Sequence, residues 1–186
     1  MIRDRGKFAK VELNIINLKK PKKIISKIIS PHDNFPGNSR YPLLIYKQVF
    51  SSNDLAEEIQ AWLKNNDWGS SWIDSIYDFH HYHSNTHEVL VIIAGVCLVQ
   101  FCGEQEVILT VEQGDTVIIP AGVAHKRLEK SADFRCIGAY PFDVGYDMNY
   151  GKKQEYADAI KAVKNVGLPG KDPIFGEKGL IFDYWK

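Results

Sequence analysis

Residues 80–88 read HHYHSNTHE, so four of the six histidines in this 186-residue chain fall within eight positions. Alternate side chains of a β-strand point to the same face. The pattern therefore predicts that His81 and His83 project together, and that Glu88 returns opposite them on the next antiparallel strand, after a turn at residues 84–86. Two imidazoles and a carboxylate that converge from paired strands form three sides of a divalent-metal site.

A fourth candidate ligand, His125, follows the Pro-Ala-Gly turn of residues 120–122 at the start of another predicted strand. His87 stands next to Glu88, so strand alternation places it on the opposite face, behind the ligands or at the surface. A bulge would exchange the two. Because imidazole must be neutral to bind a metal, we expect metal affinity to fall as the pH drops toward ~6.5 and below.

The span around these candidates, residues 75–141, consists of short β-runs separated by turn residues. Seven strands at such close spacing indicate an antiparallel sandwich or barrel. The runs are 76–83, 87–94, 96–101, 106–111, 116–119, 124–129 and 134–140.

Two motifs within this span resemble those of the cupins. The first, H-x-H-x4-E-x6-G, runs from His81 to Gly95, and the second, G-x5-P-x-G-x2-H, runs from Gly114 to His125. Ser75 stands where the family's first motif opens with glycine. Glu129 stands where the second closes with asparagine. Neither position supplies a metal ligand in the family.

The resemblance implies an all-β core, a small antiparallel β-barrel of the double-stranded β-helix type, with flanking N- and C-terminal helices. It also implies one bound divalent transition metal, such as Fe, Mn, Zn or Ni. The ligands that it implies are His81, His83, Glu88 and His125.

A longer resemblance is to the YjlB-like single-domain bacterial cupins, whose biochemical function is uncharacterised. It is carried by Trp-x3-Trp at 68–72, HHYHSNTHEVL at 80–90, GAYP at 138–141 and Leu-Pro-x-x-Asp-Pro-x-x-Gly at 168–176. It predicts an N-terminal extension over residues 1–40 and a single cupin domain over 41–186. Within that domain the barrel core is 75–141, and a C-terminal helix and docked tail occupy 150–186.

The segments outside the barrel carry further patterns. In the extension, Ile24-Ile25 and Ile28-Ile29 fit a short amphipathic helix with a lysine face. That face fits attachment to anionic lipid or nucleic acid, although a solvated surface is the favoured interpretation. Further along we predict a strand at 43–50, a helix at 54–64 capped by Asp54 and Glu57, a loop at 68–72 that covers one end of the core, and a helix at 151–166.

The composition excludes several classes of protein. Twenty-three basic and 23 acidic residues cancel, which argues against nucleic acid as a partner. The longest apolar run, 89–99, is about half of the ~20 residues that a membrane helix needs. No signal peptide pattern opens the chain, so we expect a cytoplasmic protein without membrane attachment. The three cysteines form no CxxC pair, so they do not indicate a thiolate zinc site.

Two functions from different classes fit this pattern. The first is a metal-dependent enzyme on a small oxygenated substrate, either an oxygenase or an isomerase or lyase beside a carbonyl. The second is a non-catalytic cupin that senses or stores a small molecule. Tyr77 and Phe79 share parity with His81 and are candidates for substrate contact or plain packing. Arg127 shares parity with His125 and either holds an anionic group or faces solvent. The resemblance also implies a homodimer, because cupins commonly pair through sheet faces or exchanged N-terminal strands, and the predicted strand at 43–50 offers such an edge.

Overall fold

The computed structural model describes residues 16, 18–51, 53–102 and 107–186. Two predictions fall partly outside these ranges. One is the strand predicted to start at residue 106, and the other is the N-terminal extension, of which residues 1–15 and 17 are not described. The described residues form nine strands and three helices. In chain order these are β1 (Ile24–Ile29), β2 (Asn38–Tyr46), α1 (Ala56–Asn65), β3 (Trp68–Asp74), β4 (Glu88–Ala94), β5 (Val96–Phe101), β6 (Val107–Glu112), β7 (Thr116–Ile119), β8 (His125–Lys130), β9 (Arg135–Pro141), α2 (Lys153–Asn165) and α3 (Ile181–Tyr184).

The strands form two antiparallel sheets. The larger has the order β1-β2-β7-β4-β9-β3, and the smaller has the order β6-β5-β8. Apolar side chains from facing strands, such as Leu90, Ile92, Val99 and Phe101, pack into one cluster. The prediction of a closed barrel is wrong in this respect: the described strands are not hydrogen-bonded from one sheet into the other. Side-chain packing holds the sheets together.

The opposite face of the larger sheet is covered as well. Val89 and Val91 of β4 pack with Ile59 and Leu63 of α1 and with the C-terminal tail. With both faces buried, β4 reads as an unbroken apolar run after its first residue, and Glu88 at that first position is exceptional.

The tail after α2 lies against this covered face. Ile174, Ile181 and Trp185 are buried in the same cluster, and the indole Nε1–H of Trp185 donates to the Pro42 carbonyl at 2.8 Å. The Asp172 carboxylate is fully buried. It accepts hydrogen bonds from the backbone N–H groups of Ile174, Phe175 and Ile181 and from the Tyr46 hydroxyl.

Two segments fold differently from the prediction. Residues 24–29 form strand β1 and not an amphipathic helix, because the β-branched isoleucines pair with β2, for example Ile25 with Ile45. Residues 68–74 form strand β3 and not a loop, because they pair with β9. The Trp72 ring lies so close to Gly138 that a Cβ there has no room.

The segment that carries His81 and His83 also differs from the prediction, which was a strand over residues 76–83. Residues 76–83 do not form a regular strand, since only His81 and Tyr82 make isolated bridges, to His125 and to Asn149 respectively. These two residues take their partners from two different segments.

The start of α1 also corrects a prediction. Asp54 does not cap the helix, because its carboxylate accepts from the Ser51 N–H at 2.6 Å. Leu55 occupies the N-cap position, and the Glu58 carboxylate accepts from its backbone N–H at 3.4 Å. Among the described residues, no helix has the length and apolar character that a membrane crossing requires.

The homodimer stays a prediction, but its proposed edge is wrong. β2 lies between β1 and β7 and has no free edge, whereas β1 ends the larger sheet. The other end of that sheet is β3, so pairing by strand edges of the larger sheet would use β1 or β3. Light scattering at micromolar concentration should give twice the 21.2 kDa chain mass, and the mass of one chain would contradict the dimer.

Candidate metal centre

Three segments bring the four candidate ligands together. Glu88 opens β4, His125 opens β8, and the segment between β3 and β4 carries His81 and His83. All four side chains are buried, with at most 5% of any residue exposed. The rings of His81 and His125 are 4.3 Å apart, and those of His81 and His83 are 5.9 Å apart.

The Glu88 carboxylate faces two of these imidazoles. Its Oε2 lies 3.3 Å from His125 Nε2 and 3.7 Å from His83 Nε2. Neither contact has hydrogen-bond geometry, so this buried oxygen has no hydrogen-bond partner among the described residues. A buried carboxylate oxygen in that condition is uncommon and calls for a cation or a donor.

Backbone carbonyls hold the other nitrogen of each imidazole. The Nδ1 atoms of His81, His83 and His125 lie 3.2, 2.5 and 3.4 Å from the carbonyl oxygens of Phe79, Asp147 and Val123, respectively. A carbonyl accepts only, so each contact favours the tautomer with the proton on Nδ1. That tautomer leaves Nε2 unprotonated, which is the form that binds metals.

The second oxygen of Glu88 ends a hydrogen-bonded chain. The Trp72 indole N–H donates to the Tyr140 hydroxyl at 2.9 Å, and that hydroxyl donates to Glu88 Oε1 at 3.0 Å. The chain fixes the carboxylate and leaves Oε2 directed at the histidines.

The electrostatics keep the carboxylate charged. Burial alone would raise the pKa of Glu88, but the three imidazoles around it lower that pKa to about 2. Burial and His81 lower the pKa of His125 to about 3. Burial also opposes protonation of His83, but the adjacent Glu88 charge outweighs it and raises the His83 pKa.

The residues fit a divalent metal by their chemistry. Three imidazoles and a carboxylate suit iron, manganese, nickel or zinc, and one oxygen of the set lacks a partner. The described side chains do not already have the spacing of a preformed coordination shell. Metal binding therefore remains a prediction.

The sequence around this centre matches known proteins. Residues 77–133 match the family model for the cupin domain. The chain is 41% identical over 150 residues to the uncharacterized protein YjlB of Bacillus subtilis (strain 168), and the match covers 81% of this chain and 89% of that protein. The chain belongs to the YjlB-like cupins.

Solved structures resemble this cupin more distantly. WlaRA, a TDP-fucose-3,4-ketoisomerase from Campylobacter jejuni, aligns with a TM-score of 0.39 and 15% identity over 53% of this chain and 76% of that chain. Procruciferin, an 11S globulin from Brassica napus, aligns with a TM-score of 0.37 and 18% identity over 70% of this chain and 27% of that chain. Similarity of this extent does not indicate a shared activity.

A cavity of about 200 Å³ opens onto the candidate ligands of the cupin. Tyr77 lines it, although half of this residue is exposed. Phe79 does not line it and stacks on Tyr77 at 4.8 Å. Arg127 is not in the cavity wall either, because its Nε donates to the Ile76 carbonyl at 3.0 Å and its Nη2 lies 3.4 Å from an Asp78 carboxylate oxygen.

The sequence pattern missed part of the wall. Alternation along β9 could have found Tyr140, but nothing local in residues 142–150 indicates that Tyr146 and Met148 line the cavity. Asp147 holds that loop in place from 63 residues away, since its carboxylate accepts from the Ser84 N–H at 2.7 Å and its carbonyl contacts His83.

His87 of the cupin lies apart from the candidate ligands and is buried, not at the surface. Its Nδ1 accepts from the Ala121 N–H at 2.9 Å, and its Nε2 lies 3.0 Å from the Gly167 carbonyl. The ring packs 4.5 Å from that of Trp185. His87 thus connects the start of β4 to the turn at residues 120–122 and to the C-terminal tail. Burial lowers its pKa to about 4.

We expect the metal-free cupin to lose stability as the pH falls from about 6.5 to 4. An unfolded histidine binds its proton near pH ~6.5, whereas folded His87 binds it only near 4. In that window the unfolded state holds more protons than the folded state. The free energy of unfolding therefore decreases as the pH decreases, by up to about 3 kcal/mol for this residue. Urea unfolding at a series of pH values measures the slope.

The matched variant for this test is His87→Asn. The asparagine amide oxygen is an acceptor for the Ala121 N–H but does not titrate in this range. The variant should therefore show a shallower loss of stability with falling pH. An unchanged slope would mean that other groups, such as His125, account for the acid sensitivity.

Proposed function

We propose that this cupin binds one divalent transition metal through His81, His83, Glu88 and His125 and acts as an enzyme on a small oxygenated substrate. The reaction class is an oxygenation, or an isomerisation or elimination beside a carbonyl. The observation that carries the proposal is the set of three imidazoles with Nδ1 held by backbone carbonyls, beside a carboxylate oxygen that is buried without a partner.

A metal held by these residues would supply Lewis acidity toward a carbonyl or a water, and iron would add redox chemistry with dioxygen. The chain itself contributes orientation and exclusion of water. Tyr140 keeps its proton, because burial and the Glu88 charge raise its pKa far above the usual value. That proton holds Glu88 Oε1 in place. The side chains of Ile76, Leu90 and Met148 form an apolar wall beside the four proposed metal ligands.

The wall also indicates the charge of the substrate. None of the described residues that line this cavity is Arg or Lys, whereas Asp74 and Glu88 are both acidic. Arg127 is engaged elsewhere, so an anionic group would find no side-chain cation here. The small volume favours a small substrate, and the lack of side-chain cations leaves the proposed metal as the partner for its carbonyl or hydroxyl oxygens.

The binding alternative draws support from one observation. The Tyr140 hydroxyl is the donor nearest to Glu88, but it is already committed to that carboxylate and to Trp72. A cavity in which this hydroxyl is not free to give its proton to a substrate also suits a protein that binds a small molecule without converting it.

Elemental analysis of protein purified without an affinity tag is the first test. We expect about one divalent transition metal per chain, and a metal-free preparation that takes up no added metal would contradict the proposal. The loaded protein is then given a panel of small hydroxy and oxo compounds. Oxygen uptake reports an oxygenase, and solvent deuterium incorporation next to a carbonyl reports an isomerase or lyase. Metal binding without either signal would favour the binding alternative.

A further inference from the structure

A second cavity lies away from the metal centre. It has a volume of about 520 Å³ and is formed by Pro31 and residues 36–41 on one side and by α2 and the residue after it on the other. None of the residues that line it lines the metal cavity. Its volume falls within the range of about 300–1,000 Å³ that is typical of small-molecule sites, whereas the metal cavity is smaller.

The lining of this second cavity combines apolar surface with positive charge. Ile160, Val163 and Val166 provide apolar wall on the side of α2, and Arg40 and Lys164 are its two cations. No Asp or Glu is among the described residues of the wall. Neither cation forms an ion pair with any described residue. The charge of this wall is therefore opposite to that of the metal cavity.

Tyr41 adds a polar group that lacks a partner. It lines the cavity, and its ring lies between the Arg40 guanidinium at 4.7 Å and the Trp185 ring at 5.0 Å. Only 2% of the residue is exposed, and its buried hydroxyl has no hydrogen-bond partner among the described residues. Such a hydroxyl is uncommon in a folded protein, but water cannot reach it, so it does not contribute to binding in the cavity.

We propose that this cavity binds a small amphiphilic anion, namely a carboxylate with an apolar body. The carboxylate pairs with Arg40 and Lys164, and the apolar body packs on Ile160, Val163 and Val166. The two cations form no ion pair with a described residue and therefore favour a negatively charged group, and the aliphatic wall favours an apolar body. Binding at this site does not require the proposed metal.

The position of the cavity connects it to the metal centre through one turn, residues 120–122. Asn38, in the cavity wall, donates from Nδ2 to the Ala121 carbonyl at 3.0 Å. Gly122 packs so closely on Val163 that a Cβ would meet its Cγ2 at 2.8 Å, and the Gly122 N–H donates to the His83 carbonyl at 2.8 Å. A ligand that shifts Asn38 or Val163 therefore acts on the turn that is bonded to His83.

Calorimetric titration of the full chain with octanoate tests the site, with octanamide as the uncharged probe of the same length. We expect saturable octanoate binding that is about tenfold tighter than octanamide binding, and about tenfold weaker in the double variant Arg40→Gln, Lys164→Gln. Lys161→Gln is the matched control on the same helix, because Lys161 is exposed and outside the cavity wall. It should bind octanoate as the unaltered chain does.

Several outcomes would overturn the site. These are equal affinity for octanoate and octanamide, an unchanged affinity in the double variant, and an equal loss in Lys161→Gln. Circular dichroism of each variant shows that it is folded. The connection is tested separately in the metal-free protein by NMR of the histidine rings. The His83 signals should shift with octanoate in the unaltered chain and not in the double variant, and binding without that shift would refute the connection.

Discussion

Replacing His83 with alanine is expected to lower the metal content from about one equivalent per chain to near zero after dialysis. The replacement removes one of the three imidazoles, so only three of the four proposed metal ligands remain. Loss of residues that merely support a ligand typically costs 10–100-fold in metal affinity, so loss of the ligand itself should cost more. The measurement is zinc content by mass spectrometry after equilibration with Zn²⁺, with far-ultraviolet circular dichroism to verify the fold.

Two control variants make this test specific. His32→Ala removes an exposed histidine that lies outside the cavity wall, so it should keep its metal. His87→Asn should keep the metal as well, because that ring bonds to Ala121 and Gly167. If His83→Ala and His125→Ala both retain metal, the site is wrong. If His87→Asn loses the metal and Glu88→Gln keeps it, the ligand set is wrong by one position.

Replacing Asp172 with alanine is expected to lower the free energy of unfolding by about 3–5 kcal/mol. The carboxylate is fully buried and accepts four hydrogen bonds, three from backbone N–H groups of the tail and one from Tyr46. Alanine leaves these donors buried without an acceptor, and each costs about 1–3 kcal/mol before the tail relaxes. Equilibrium unfolding in urea, followed by circular dichroism, measures the change.

Two comparison variants show whether the acceptor oxygens at position 172 account for the loss of stability. Asp172→Asn retains one acceptor oxygen and should fall between the alanine variant and the unaltered chain. Asp183→Ala alters an exposed carboxylate of the same tail and should change the free energy of unfolding by less than about 0.5 kcal/mol. A similar small effect for Asp172→Ala would mean that the tail is held by apolar packing of Ile181 and Trp185 alone.

The sequence predicted the strands whose signals are local. Strands β5 and β7 have the predicted bounds, β4 begins one residue later than predicted, β6 ends one residue later, and β8 and β9 are shifted by one residue toward the C-terminus at both ends. Alternating apolar residues and turn residues are carried by the segment itself, so a strand with those signals is readable without its partners. The double motif likewise indicated the cupin family, to which the 41% identical relative assigns the chain.

The errors fall where a neighbour outweighs a local pattern. The isoleucine pairs of 24–29 fit a helix until β2 supplies strand partners, and the loop around Trp72 becomes β3 because β9 lies beside it. Residues 76–83 have strand composition, yet His81 and Tyr82 bond to two different segments. Each of these partners is far away in the chain, so no window of sequence contains it.

The site divides in the same way. The spacing of His81, His83, Glu88 and His125 was legible in the sequence, and the structure brings these side chains together. Tertiary structure alone decided that backbone carbonyls hold the imidazole Nδ1 atoms, that Arg127 is tied to Ile76, and that the loop at Asp147 closes the cavity wall. The physical reason is that residue type sets which atoms can donate or accept, whereas the packing of distant segments sets which of those atoms meet.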